Sequence, residues 1–160
     1  AYRRDDKRFK APVKAGEPET NEAMYKLLTA AYTTIAAELN ARLIPVGDAF
    51  YAADTDPVWG FQSVAPFDFK KAKAPDLPEQ PHSLHMGWQW KKQKDGVSAL
   101  NMDGHHASTA GKYLGACVWY EILFGESAVG NLFIPRGFDA EYARFLQETA
   151  HSAVAKAQAK

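Results

Sequence analysis

Asp103-Gly104-His105-His106-Ala107-Ser108-Thr109-Ala110-Gly111-Lys112-Tyr113-Leu114 places a carboxylate three residues ahead of a histidine, at the mouth of an amphipathic helix. A carboxylate within reach of an imidazole can bond one ring nitrogen, fix the tautomer and leave the other nitrogen as a general base. Acid and base are two members of a Ser-His-Asp hydrolytic triad, and the third member, a nucleophile, has to be sought elsewhere. His105 is adjacent, but neighbouring side chains usually diverge, so the spacing favours His106 as the partner of Asp103. The same residue types also suit a loop ahead of a helix with no chemistry at all, in which Ser108 or Thr109 is simply an N-cap.

Downstream of this stretch, Tyr113, Leu114, Cys117, Val118 and Ile122 form one stripe of a helix over Ser108 to Phe124, which Gly125 ends. A last helix from Asp139, its cap, to Lys156 carries Tyr142, Phe145, Leu146, Thr149 and Ala153 on one side. Upstream, residues 54–100 hold five prolines (Pro57, Pro66, Pro75, Pro78, Pro81) and read as a long insertion loop. Within it, Trp88 and Trp90 alternate with polar residues and Asp95-Gly96 supplies a turn, which predicts a small hairpin. Further upstream, Met24, Leu27, Leu28, Ala31, Tyr32, Ile35, Ala36 and Leu39 repeat at helical spacing and predict one continuous buried stripe, capped by Thr20 and stopped at Asn40. Arg42-Leu43-Ile44-Pro45-Val46-Gly47 follows as a buried-type strand, with Pro45 placing it at a sheet edge or strand end. Asp48 then caps a short helix. Residues 1–19, with Pro12, Gly16 and Pro18, read as a surface loop, the charges of Arg3-Arg4-Asp5-Asp6-Lys7-Arg8 being interleaved and solvated.

At 160 residues the chain is long enough for one domain with a core. Apolar residues make up 46% and charged residues 24%, the proportions of an ordinary globular protein. Nineteen basic residues balance nineteen acidic ones, which argues against nucleic acid as a partner, since that needs clustered positive charge. No apolar run is long enough for a membrane span. The single cysteine, Cys117, cannot form an internal disulfide and fixes no redox compartment. Its place on an apolar stripe marks it as a small buried side chain.

Other constellations compete with the Asp-His pair. His82, His85, His105 and His106 with Asp103 form a donor set that zinc would accept, although no HExxH motif and no second cysteine accompany them. That set suggests a metal-dependent hydrolase. Trp88 and Trp90 can stack on a sugar, which suggests a non-catalytic glycan-binding module. They can equally pin the long loop to the body of the domain. Ser63, Ser83, Ser98, Ser108, Ser127 and Ser152 all lack the surroundings of a nucleophile elbow, and Ser83, near His82 and His85, is the least implausible of them.

Asp103-Gly104-His105-His106-Ala107-Ser108 followed by Gly111-Lys112-Tyr113-Leu114 resembles the last conserved block of the SGNH (GDSL-type) hydrolases, Asp-x-x-His continued as Pro-Ser-x-x-Gly-x-Tyr-Leu, with Ala107 in place of the usual proline. The segment from Tyr32 through Ile44-Pro45-Val46-Gly47-Asp48-Ala49-Phe50 is similar to the helix and strand that precede this block in the bacterial branch, and Ala116 to Gly125 to the helix after it. The resemblance spans roughly residues 20–130. It implies a three-layer α/β/α sandwich with a parallel, flavodoxin-like sheet. It also implies a serine esterase that deacetylates or otherwise de-esterifies a carbohydrate, with Asp103 orienting and His106 deprotonating a serine, no cofactor and no metal. Trp88, Trp90 and His105 would then line the substrate site. The family's Gly-Asp-Ser block and its oxyanion glycine and asparagine blocks are not in these residues. The resemblance is therefore to the C-terminal portion of such a domain. This portion alone would be inactive, and would associate with the missing N-terminal half or another chain. A bacterial enzyme of this kind is compatible with a periplasmic or secreted location.

Overall fold

A computed structural model describes residues 1–9, 14–62 and 66–159; Pro12 and Ser63 lie outside the described residues. The elements in order are α1 (Asn21–Leu39), α2 (Val46–Asp54), the strands β1 (His85–Lys92) and β2 (Ser98–Ala107), α3 (Thr109–Phe124) and α4 (Ala140–Gln158). A short 3-10 turn at Lys7–Phe9 precedes them.

The helix ends follow local chemistry. The Thr20 side chain accepts the Ala23 amide at 3.0 Å, and Asn40 leaves α1 in the left-handed conformation at φ 49°. Ser108 caps α3 by accepting the Gly111 amide, and Gly125 closes it at φ 70°. Asp139 caps α4, accepting Glu141 N–H at 2.8 Å and Tyr142 N–H at 3.1 Å. The hairpin also forms: β1 and β2 pair antiparallel, with Trp88 opposite Met102 and Trp90 opposite Leu100. Gly96, at φ 83°, sits in the connecting turn.

The core lies where α2, α3 and α4 meet. Leu114, Val118, Leu146, Ala143, Ala150 and Ala49 are fully buried there, joined by Leu84 from the segment entering β1. Leu114, Val118 and Leu146 each contribute about 1.5–3 kcal/mol through burial. The alanines let the three helices approach closely.

The three-layer sandwich with a parallel sheet is not the architecture of this chain. The sheet of the described residues is a two-stranded antiparallel ribbon, and with four helices it makes a small α/β domain. The strand expected at 42–47 is the root of the difference. Residues 41–44 have no regular structure, and α2 starts at Val46 on Pro45. Proline lacks a ladder donor, but its fixed φ (here −81°) suits the start of a helix. A lone strand with no neighbour would also leave its backbone groups unpaired. Asp48 is consequently not a cap but a first-turn residue of α2, accepting the Tyr25 hydroxyl at 2.6 Å.

In α1 only Asn21 and Met24 are buried, while Leu27, Leu28, Tyr32, Ile35 and Leu39 are exposed. The periodicity marked the apolar face correctly, but nothing among the described residues covers it. Conversely, the N-terminal segment is not a solvated loop. Arg3 is fully buried and Asp6 nearly so. Among the described residues no helix is long and apolar enough to cross a membrane.

Candidate active site

The site is made by an irregularity in β2. His85 faces Ala107 and Gly87 faces Asp103, so Met86 alone stands opposite Gly104, His105 and His106. The surplus residues of β2 have no partner in the ladder and bend the strand into a bulge. The opposing Gly87 takes φ 68°, where a side chain would be strained and its Cβ would run into Gln80 and Arg3.

The bulge folds the chain back on the Asp103 carboxylate. Asp103 Oδ1 accepts the His106 backbone amide at 3.1 Å, and His106 Nδ1 lies 3.0 Å from both Oδ1 and Oδ2. Asp103 is buried, whereas the His106 side chain is 69% exposed. None of the hydrogen bonds among the described residues uses His106 Nε2. The Lys91 ammonium approaches Asp103 Oδ2 at 3.5 Å. Burial by itself would raise the Asp103 carboxyl. Hydrogen bonds from the His106 amide and ring, the charge of that ring and the His105 amide together outweigh it and hold the group at about 2. Asp103 is therefore an anion throughout the neutral range.

His105 does not diverge from His106 as strand alternation would require. The bulge breaks the alternation, and the two rings lie 4.1 Å apart, with His105 Nδ1 3.5 Å from Asp103 Oδ1. The Tyr2 ring packs on His105 at 5.4 Å between rings.

The N-terminal segment braces the bulge. The Arg3 amide donates to the Gly104 carbonyl at 2.8 Å, and the Asp6 carboxylate packs so closely on Gly104 that a Cβ there would meet it. The buried Arg3 guanidinium pairs with Asp5 at 2.6 Å, donates to Gln80 and Ser83, and lies over the Phe61 ring at 4.3 Å. Gln80 in turn grips the backbone of Trp88 on both sides, accepting its N–H and donating to its carbonyl. Arg3, Asp6 and Lys91 thus position the pair. Nothing in the local sequence pattern marks them, because their partners lie far away along the chain.

The other sequence candidates fall elsewhere. The pairing register puts Trp88, Trp90, Leu100 and Met102 on one face of the ribbon and Asp103, opposite Gly87, on the other. Trp88 packs on Phe69 at 4.6 Å, and Trp90 Nε1 donates to the Asp76 carbonyl at 2.8 Å, so both tryptophans hold the preceding loop. His82 sits against Tyr142 and Trp59, and His85 is buried with Nε2 on the Ala1 carbonyl at 3.0 Å. Neither joins the Asp103 group. Ser108 donates to the Ser83 carbonyl at 2.7 Å while capping α3, and Ser83 is engaged by Arg3 and by the His85 backbone.

A second serine, histidine and carboxylate meet at Ser127, His151 and Glu121. There the hydroxyl and the carboxylate both converge on His151 Nδ1, at 3.5 and 3.1 Å. A triad needs them on opposite ring nitrogens. Buried Glu121 instead accepts the Ala128 amide at 2.8 Å and ties down the loop after α3. An open hollow of about 440 Å³ lined by Trp59, Ala140, Arg144 and Phe145 contains neither Asp103 nor His106.

In comparison with known proteins, the chain matches no family model, no curated protein and no solved structure.

Proposed function

We propose that this chain carries the acid and the base of an SGNH-type serine ester hydrolase, with Asp103 orienting His106 and the nucleophile supplied from outside these residues. The observation that carries the reading is the bond of His106 Nδ1 to both oxygens of a buried, anionic Asp103, on a side chain that stays exposed and makes no hydrogen bond through Nε2 among the described residues. With its proton on Nδ1 and donated to Asp103, the imidazole keeps a lone pair on Nε2. That nitrogen takes the proton of a serine hydroxyl as its oxygen bonds the ester carbonyl carbon. It returns the proton to the alcohol oxygen as the C–O bond breaks, and water repeats the exchange to release the acid. The imidazolium formed in between is stabilised by the Asp103 carboxylate. General-base assistance of this sort is worth about 10²–10⁴ in rate.

The proposal does not rest on a parallel sheet. It is for ester hydrolysis without a specified sugar, because Trp88 and Trp90, which suggested a carbohydrate ester and a glycan-binding module, lie on the opposite face of the ribbon from Asp103. Ser108, Ser83 and Ser127 are committed to structural hydrogen bonds, which removes three of the serine candidates. The exposed apolar face of α1 offers a supplying segment or chain a surface on which to dock. The test is aryl-acetate hydrolysis by the full-length protein, before and after His106→Ala. Activity that falls by about 10³-fold or more supports the role of His106. Hydrolysis unchanged in the variant ends it, and full activity from the present residues alone would show that the nucleophile is among them.

A further inference from the structure

The bulge brings together more than a triad base requires. Asp103, His105 and His106 each offer one donor atom, a carboxylate oxygen and two ring nitrogens, within 4.8 Å of one another. The carboxylate oxygen is 3.5 Å from the first nitrogen and 3.0 Å from the second. A tetrahedral ion with bonds of about 2.0–2.1 Å holds its donors about 3.3–3.4 Å apart, so this spacing already brackets what such an ion needs. Two imidazoles and one carboxylate suit zinc, cobalt, nickel or copper in the divalent state rather than magnesium or calcium, which prefer all-oxygen shells. The exposure of His105 (51%) and His106 (69%) leaves solvent to complete the shell. Among the described residues, Lys91, the cation paired with Asp103, is about half exposed on a flexible stem.

We propose that Asp103, His105 and His106 form a site for a divalent transition-metal ion, and that its occupation switches the Asp-His pair off. A neutral imidazole has one lone pair and one N–H. When Nδ1 of His106 gives its lone pair to a metal, the ring proton resides on Nε2, and the base needed for proton abstraction is gone. Asp103 meanwhile exchanges its hydrogen bond to His106 for a bond to the ion. The metal is thus an inhibitor of this site and not its catalyst. The binding half of the proposal stands alone; the inhibitory half rests on the ester-hydrolase reading.

The experiment is a titration of the chelator-treated chain with cobalt(II), followed by visible ligand-field absorption, then displacement with zinc. One equivalent is expected to bind saturably, and zinc to displace it. His105→Ala should weaken binding about tenfold or more, given that even groups outside the coordination shell cost 10–100-fold. His151→Ala, on α4, should leave the binding as it was. Circular dichroism of each variant verifies that it is folded. No saturable one-to-one spectrum, or wild-type affinity in a folded His105→Ala chain, overturns the site. Because the readout is metal binding, this failure is distinct from a failure of ester hydrolysis.

Discussion

Gly111→Ala is a sharp test of how the site is tied to the core. Gly111 lies in the first turn of α3, and the Cβ of an alanine there would fall inside the Leu84 carbonyl oxygen and only 2.9 Å from Phe50 Cζ. Real Cβ atoms essentially never come within 3.0 Å of a neighbour. The Phe50 ring can turn away, but the Leu84 carbonyl cannot, because it accepts the Ser108 amide at 2.9 Å. Relief requires α3 to move off the segment leading into β1. Overpacking of this kind costs about 1–3 kcal/mol, and disturbing the Ser108 cap about 1 more. Alanine returns at most about 1 kcal/mol through helix propensity. The clash wins, for a net loss of about 1–4 kcal/mol. The control is Gly115→Ala one turn on, where the nearest atom to a new Cβ is Val46 Cγ1 at 3.8 Å. With no clash, propensity decides, and stability should rise by up to about 1 kcal/mol. Urea denaturation followed by tryptophan fluorescence reads both variants. Equal midpoints for the two would refute the packing argument.

Four further outcomes follow from buried groups. Arg3→Met removes the ion pair to Asp5 and the bonds to Gln80 and Ser83, and should cost about 3 kcal/mol in the same denaturation assay, with loss of the His106–Asp103 contact in NMR. Burial holds the His85 pKa below its ordinary 6.5, only partly offset by the Ala1 carbonyl, and His82 is displaced the same way by burial. The unfolded chain then takes up protons first as pH falls through that value, so stability drops on acidification below it, and His85→Gln should shrink the drop in melting temperature between about pH 7.5 and about pH 5. Asp103, depressed to about 2, has the same sign in a lower window: its contribution is present above its ordinary 3.8 and is lost only as pH falls through about 2. Burial pushes the Cys117 thiol up to about 11, so iodoacetamide should leave the native chain unlabelled at neutral pH and add once after denaturation.

What could be read from the sequence was whatever a few neighbouring residues decide. Thr20, Ser108 and Asp139 cap helices through bonds to amides two or three residues on, and the Asp95-Gly96 turn closes the hairpin. The Asp103–His106 contact belongs to this class, being an i to i+3 relation. What could not be read depends on distant partners. Burial of Arg3 is decided by Gln80 and Ser83, and the meeting of His105 with His106 by a register that only the opposing strand sets. The Ile44 segment looked like a strand because its composition is apolar, but a strand exists only beside another. The α1 stripe was seen in the right place, yet an apolar face does not say which chain covers it.

The most direct measurement is the tautomer of His106. Long-range proton–nitrogen NMR correlations of the histidine rings, recorded on chelator-treated protein at a pH where the imidazole is neutral, separate a proton on Nδ1 from one on Nε2. A proton on Nδ1, shared with Asp103, and a bare Nε2 is the expected result, with the preference lost in Asp103→Asn. A His106 that carries its proton on Nε2 in the wild-type chain would contradict the assignment of Asp103 and His106 as an oriented acid–base pair.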